Sequence, residues 1–184
     1  MEENNSKLLI NIKKNIDNAE IESLNNISEQ LTVKANEQKE IIEDNYRRLI
    51  KDIIKILENI VDDSITKPTI MFEIFFLLEL FLKLFLLTSG NYNLIEIGRY
   101  RHNLNMLMCD SEKLEPNYFD EIKGRLRRIK NKAGNGLNYD EFTHYKYNHM
   151  MGKEDLIFEY EMTDCDKTNV KEVMNWIKIR IAEL

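Results

Sequence analysis

Residues 69–88 read TIMFEIFFLLELFLKLFLLT. The run is about as long as a membrane span, which takes roughly 20 apolar residues. Its charges decide the reading. Glu79 and Lys83 lie near its middle, and Glu73 lies earlier in the run. A charge at the centre of a membrane helix costs about 2.5–3.5 kcal/mol. Glu79 and Lys83 are also spaced i,i+4 with the acid first, the order that favours pairing on one helix face. The stretch is therefore expected to be the central helix of a bundle, apolar nearly all round and covered by other helices. No membrane partner is expected.

Upstream, Ile42, Tyr46, Leu49, Ile53, Leu57, Ile60 and Val61 recur at helical spacing and predict a helix over 41–62. Leu9, Ile12, Ile16, Ala19, Leu24, Ile27 and Leu31 do the same over 6–33, with a slip near 18–23 that leaves one irregular helix or two. Residues 34–40, KANEQKE, are exposed helix or a connection. Pro68 suits the first turn of the helix that follows. Residues 1–62 thus read as an N-terminal helical extension, and 66–184 as the main bundle.

Downstream, SGNYN is a turn. A helix is expected at 94–110, a loop over CDSEKLEP, and a helix from Pro116 over about 117–132 that AGNG ends. The period then changes. FTHYKYNH and LIFEYEM alternate residue by residue, which predicts a β-hairpin at about 142–162. A last helix runs from Asp166 to Ala182, capped by Asp166 or Thr168, with Val170, Val173, Trp176, Ile177 and Ile181 on its buried face. The expected fold class is mainly α: an antiparallel helical bundle with one small β-hairpin before the C-terminal helix.

Composition narrows the function classes. A hydrophobic content of 43% supports a real core, and the formal net charge of −6 argues against nonspecific nucleic-acid binding by the whole surface. Cys109 and Cys165 are too few for a disulfide scaffold, and the acidic start, MEENNSKLLINIKK, lacks the pattern of a signal peptide. A reduced, cytoplasmic protein is expected.

Residues 98–108, GRYRHNLNMLM, hold the main candidate site. At 100° per residue, Ile97, Tyr100, Leu104, Leu107 and Met108 fall on one helix face. Arg99, His102, Met106 and Cys109 fall on the other. Either Arg99 and His102 are the polar side of an ordinary helix, or they face a groove or a second subunit. Met106 and Cys109 are oddly apolar for a solvated face.

The order FLLELFLKLFLLTSG, a short gap, then RHNLNML resembles the HEPN superfamily (higher eukaryotes and prokaryotes nucleotide-binding domains) over about residues 69–184. The resemblance implies an antiparallel bundle of four or five helices that commonly dimerises. It further implies a role in bacterial or phage defence, counter-defence or toxin–antitoxin systems, with RNA or a nucleic-acid-processing protein as partner. Ribonuclease members carry Arg, four to six intervening residues, then His, and cleave RNA without a metal. That pattern makes His102 and Arg99 the candidate catalytic pair, with Arg101 and Asn103 beside them. Here only two residues separate Arg99 from His102, and Tyr100 follows Arg99, so the pattern sits closer to the noncatalytic, binding members.

The second candidate is KGRLRRIKNK at 123–132. Lys123, Arg125, Arg127, Arg128, Lys130 and Lys132 place six cations in ten positions. They complement a helix C-terminus, or they form a phosphate-binding stripe for RNA or DNA or a dock for an acidic protein. His144 and His149 point to opposite faces of any strand, and no CxxC or HExxH motif accompanies them, so neither metal nor cofactor is expected. AGNG follows a helix and precedes a strand, the wrong setting for a phosphate loop.

Overall fold

The computed structural model describes residues 2–63, 66–131, 133–136 and 161–184. It is mainly helical, with α1 at Glu2–Ile60, α2 at Lys67–Thr88, α3 at Leu94–Arg99, α4 at Leu104–Leu114, α5 at Asp120–Arg128 and α6 at Asp164–Arg180. The chain forms two compact units, Met1–Ile42 and Glu43–Leu184, and α1 contributes to both. In the first unit, helix is continuous. The slip near residue 20 and the polar stretch at 34–40 are both helical, and Ile27, Leu31 and Val33 are exposed.

The second unit is bundle-like, and α2 is its axis. The helix packs against α3, α4 and α6, and α5 packs on α6. Leucines, isoleucines and phenylalanines are buried around its whole circumference, from Ile70 to Leu87. No helix among the described residues is long and apolar enough to cross a membrane. Pro68 lies in the first turn of α2, where its missing N–H is no loss.

An aromatic cluster joins α2 to the C-terminal half. Phe81 meets Trp176 edge-on at 5.4 Å, and Phe85 meets Phe119 edge-on at 5.1 Å. Phe119 lies 5.9 Å from Trp176. Phe81 and Phe119 are fully buried, and each such side chain contributes about 1.5–3 kcal/mol by leaving water. The expected buried face of the last helix is present: Val170, Val173, Trp176, Ile177 and Ile181 are all in the core.

A buried ion pair fastens the starts of α2 and α6. Lys67 Nζ lies 2.7 Å from Asp166 Oδ2, and the two side chains are 3% and 5% exposed. Asp166 also belongs to the capping box of α6: its Oδ2 accepts from the Thr163 N–H, and Thr163 Oγ1 accepts from the Asp166 N–H. The cap is therefore Thr163, not Asp166 or Thr168, and α6 begins at Asp164.

Four further expectations are corrected. The helix expected over 94–110 is two helices, α3 and α4, broken at 100–103. The apolar spacing runs through the break unchanged, so periodicity alone hides it. Residues 109–114 are not a loop but the end of α4. Pro116 does not open a helix; turns cover 116–119, and α5 starts at Asp120 and ends at Arg128. In and just after α1, Ile53, Leu57 and Val61 of the expected stripe are buried, but Ile50 and Ile54 join them and Leu49 is exposed. The expected hairpin at 142–162 lies outside the described residues except for 161–162, which are not strand. Among the described residues the only β pairing is an isolated bridge between Lys130 and Gly136. Gly136 is obligatory there, because a Cβ would run into the Arg127 carbonyl.

Candidate functional site

The candidate site forms where the α3–α4 junction crosses the middle of α2. Asn93 starts α3 with a reciprocal cap: its Oδ1 accepts from the Ile95 and Glu96 N–H groups, and Glu96 accepts from the Asn93 N–H. The helix stops at Arg99. Asn103 then starts α4, its Oδ1 accepting from the Met106 N–H at 3.0 Å. Between the two caps the chain turns sharply, and Arg101 takes the left-handed conformation with φ 50°.

That turn delivers His102 to α2. His102 Nδ1 lies 2.9 and 3.1 Å from the two carboxylate oxygens of Glu79, which is 1% exposed. Lys83 Nζ donates to Glu79 Oε1 at 2.7 Å and to the Arg101 carbonyl at 2.6 Å. One buried carboxylate thus holds both an ammonium and an imidazole, and the ammonium also clamps the turn that carries the imidazole. A carboxylate offers no hydrogen, so Nδ1 carries the proton in this bond, and Nε2 is the ring nitrogen left over for a further partner. Nε2 makes no hydrogen bond among the described residues, and the side chain is 52% exposed.

Neighbouring groups set the local field. Tyr46 of α1 lies near the carboxylate; burial, then the Glu79 charge, raises its phenol above the ordinary value. The Tyr100 hydroxyl donates to Asp110 at 2.5 Å, and the Tyr92 ring lies 6.3 Å from that of Tyr100. Burial, then the bond to Asp110, pushes that phenol far up. The Lys113 ammonium, then the Tyr100 hydroxyl, holds the Asp110 carboxyl below the usual range.

The sequence-derived candidates separate into placed and unplaced groups. His102 is anchored; Arg99 and Arg101 are exposed beside it. Arg99 ends α3 and His102 lies in the turn, so the two are not neighbours on one helix. Asn103 is committed to the α4 cap. Met106 and Cys109 are exposed, as is Ile95 on α3, giving this end of the bundle a partly apolar surface. The basic run does not form one stripe. Lys123 pairs with Asp120 and Glu112, and Arg125 pairs with Glu172 at 2.5 Å. Arg127, Arg128 and Lys130 are exposed, and Lys132 lies outside the described residues.

Reading the sequence as a site missed Glu79 and Lys83 as partners of His102. The available signal was two charges inside a helix otherwise apolar all round, because a charge is buried only where something pairs with it. Among the described residues no group of three or more His, Cys, Asp or Glu side chains lies close enough to hold a metal ion. His144 and His149 are outside those residues.

The left-handed turn yields a prediction. A non-glycine residue at positive φ costs about 1–2 kcal/mol, while glycine gains unfolded-state entropy that offsets part of this. Arg101→Gly is expected to unfold in urea within about 1 kcal/mol of wild type. Arg101→Val, with a β-branched side chain, is expected to lose about 1–2 kcal/mol. Equal large losses in both variants would mean that the Arg101 side chain, not its backbone, holds the turn.

Comparison of the chain with protein-family models, with characterised proteins and with solved structures yields no match.

Proposed function

We propose that the chain is a HEPN-like helical module that binds RNA at the His102 end of its second unit. The observation that carries this reading is the Glu79–His102 couple: an imidazole held through one nitrogen by a buried carboxylate and half exposed, with exposed arginines one and three residues before it in the chain. A protonated His102 donates to a phosphate oxygen, and Arg99 and Arg101 add the charge that backbone phosphates attract. The resemblance implies service in a bacterial or phage defence, counter-defence or toxin–antitoxin system. It also implies a homodimer or a protein partner, for which Ile95 and Met106 supply exposed apolar area.

The same couple favours a second reading, metal-independent cleavage of RNA. His102 Nε2 would take the proton of a 2′-hydroxyl as it attacks the adjacent phosphorus, and Arg99 would offset the charge of the phosphorane. The short Arg99–His102 spacing sets this reading behind the first.

One series of measurements separates the two. Labelled single-stranded RNA is titrated at two salt concentrations in EDTA with wild type, Arg99→Ala and His102→Ala. Binding predicts salt-dependent affinity, and Arg99→Ala should reduce the slope of log K against log salt by about 0.7 for each phosphate it leaves unneutralised. Cleavage predicts product in EDTA that falls about 10²–10⁴-fold in His102→Ala while binding persists. Neither salt-dependent binding nor product would rule RNA out and leave a protein partner.

A further inference from the structure

A cleft lies between α5 and α6 of the second unit. Its volume is about 330 Å³, at the small end of ligand clefts, which run from about 300 to 1,000 Å³. Glu121, Arg125, Glu172, Asn175, Trp176 and Arg180 line it. Three of its four charged side chains are already engaged: Arg125 pairs with Glu172, and Arg180 pairs with Glu183 at 2.7 Å. Glu121 is exposed and makes no hydrogen bond or ion pair among the described residues.

The guanidinium of Arg180 is the organising feature. Its carbon lies 5.3 Å from the centre of the Tyr118 ring and 5.6 Å from that of Trp176. Stacking on these rings and the bond to Glu183 fix the guanidinium plane. A guanidinium plane is one of the surfaces on which an unpaired base stacks. A carboxylate with free lone pairs, such as that of Glu121, accepts from two donors side by side. Guanine presents that pair on its Watson–Crick edge, its N1–H and its amino group; adenine does not. The Asn175 carboxamide adds a donor and an acceptor at the same cleft.

We infer that the α5–α6 cleft binds a single unstacked guanine base, stacked on Arg180 and read by Glu121. The inference rests on the RNA reading for its source of guanine, and exposed Arg127, Arg128 and Lys130 on and just after the same helix suit a flanking phosphate backbone.

Trp176 is the only tryptophan in the chain, so its fluorescence reports the cleft without a label. The full chain is titrated with guanosine monophosphate and adenosine monophosphate, and then with two short single-stranded RNAs that differ by one guanine-to-adenine change. Guanosine monophosphate should quench saturably at millimolar concentration and bind about tenfold more tightly than adenosine monophosphate. Glu121→Gln should abolish the preference, because a carboxamide cannot accept from both guanine donors and its donor–acceptor pair suits adenine. Arg180→Ala should weaken both about tenfold. Guanine preference in both arms assigns the cleft to RNA; preference with the mononucleotide alone assigns it to a free nucleotide. No saturable response, or equal responses that Glu121→Gln does not alter, overturns the inference. RNA binding that depends on His102 but leaves Trp176 unmoved removes the cleft alone. A guanine response without any RNA binding removes the RNA reading alone.

Discussion

Asp166→Ala is expected to lower the stability of the protein by about 3–5 kcal/mol. Asp166 does two things at once. It neutralises Lys67, whose side chain is 3% exposed, and it completes the capping box that starts α6. Removing the carboxylate strands an ammonium that is 3% exposed without its counter-charge, and frees the Thr163 N–H. The unfolding midpoint should fall by roughly 10 °C. The control is the double variant Lys67→Met, Asp166→Asn. It removes both charges and keeps an oxygen that can accept from Thr163. A buried pair replaced whole is often neutral, so most of the lost stability should return. If the double variant is as unstable as Asp166→Ala, the cost lies in the shape of the site and not in the stranded charge. Calorimetry on the three proteins decides between these outcomes.

Glu79→Ala is expected to have the second large effect, and on two observables. The carboxylate is 1% exposed and is the shared acceptor for Lys83 and His102. Without it Lys83 keeps the Arg101 carbonyl as its remaining bond, and a cavity opens in the middle of α2. The stability loss should again be about 3–5 kcal/mol. The second observable concerns His102. Its ring loses the acceptor that fixes the proton on Nδ1, and neutral imidazole should then populate both tautomers. Glu79→Gln keeps the volume and one accepting oxygen, but it removes the charge, and its amino group cannot accept from Lys83 or His102. It should lose less stability than Glu79→Ala while still weakening RNA binding. Ring-nitrogen chemical shifts of His102 measure the tautomer directly. A fixed Nδ1–H tautomer in Glu79→Ala would show that something other than Glu79 orients the ring.

The axis of the fold was readable in the sequence for a definite physical reason. A helix of apolar residues interrupted by Glu79 and Lys83 is too charged for lipid and too apolar for a surface, so it must lie inside a bundle. The face of α6 was equally readable, because Val170, Val173, Trp176, Ile177 and Ile181 keep one period without interruption. The break between α3 and α4 was hidden by the reverse situation. Ile97, Tyr100, Leu104 and Leu107 stay buried on both sides of it, so the hydrophobic period carries no mark of the turn. The mark lies in Asn103, whose side chain can cap a new helix. The loop expected at 109–116 failed because Asp110, Ser111 and Glu112 are poor evidence against helix when a neighbouring stripe of Leu107 and Met108 is buried.

The site was half legible for the same reason. His102 stood out by residue type, and Arg99 and Arg101 by charge. Glu79 and Lys83 were visible as a pair within their own helix, at i,i+4. Their bonds to the α3–α4 turn join residues 18 and 23 positions apart, and no local spacing encodes such pairings. The basic run at 123–132 shows the opposite error. Six adjacent cations look like one surface in sequence, yet α5 distributes the four that it carries around its axis, and Lys123 and Arg125 meet acids from α4, α5 and α6.

On the proposed RNA-binding reading, His102, oriented by Glu79, is the group that meets RNA. The most direct measurement follows the His102 ring resonances of the full chain while single-stranded RNA is added at low salt. These resonances should shift saturably with RNA, the Nδ1–H bonded to Glu79 should be retained, and raised salt should reverse the shift. RNA binding that leaves the His102 resonances where they are in the free protein would contradict the claim.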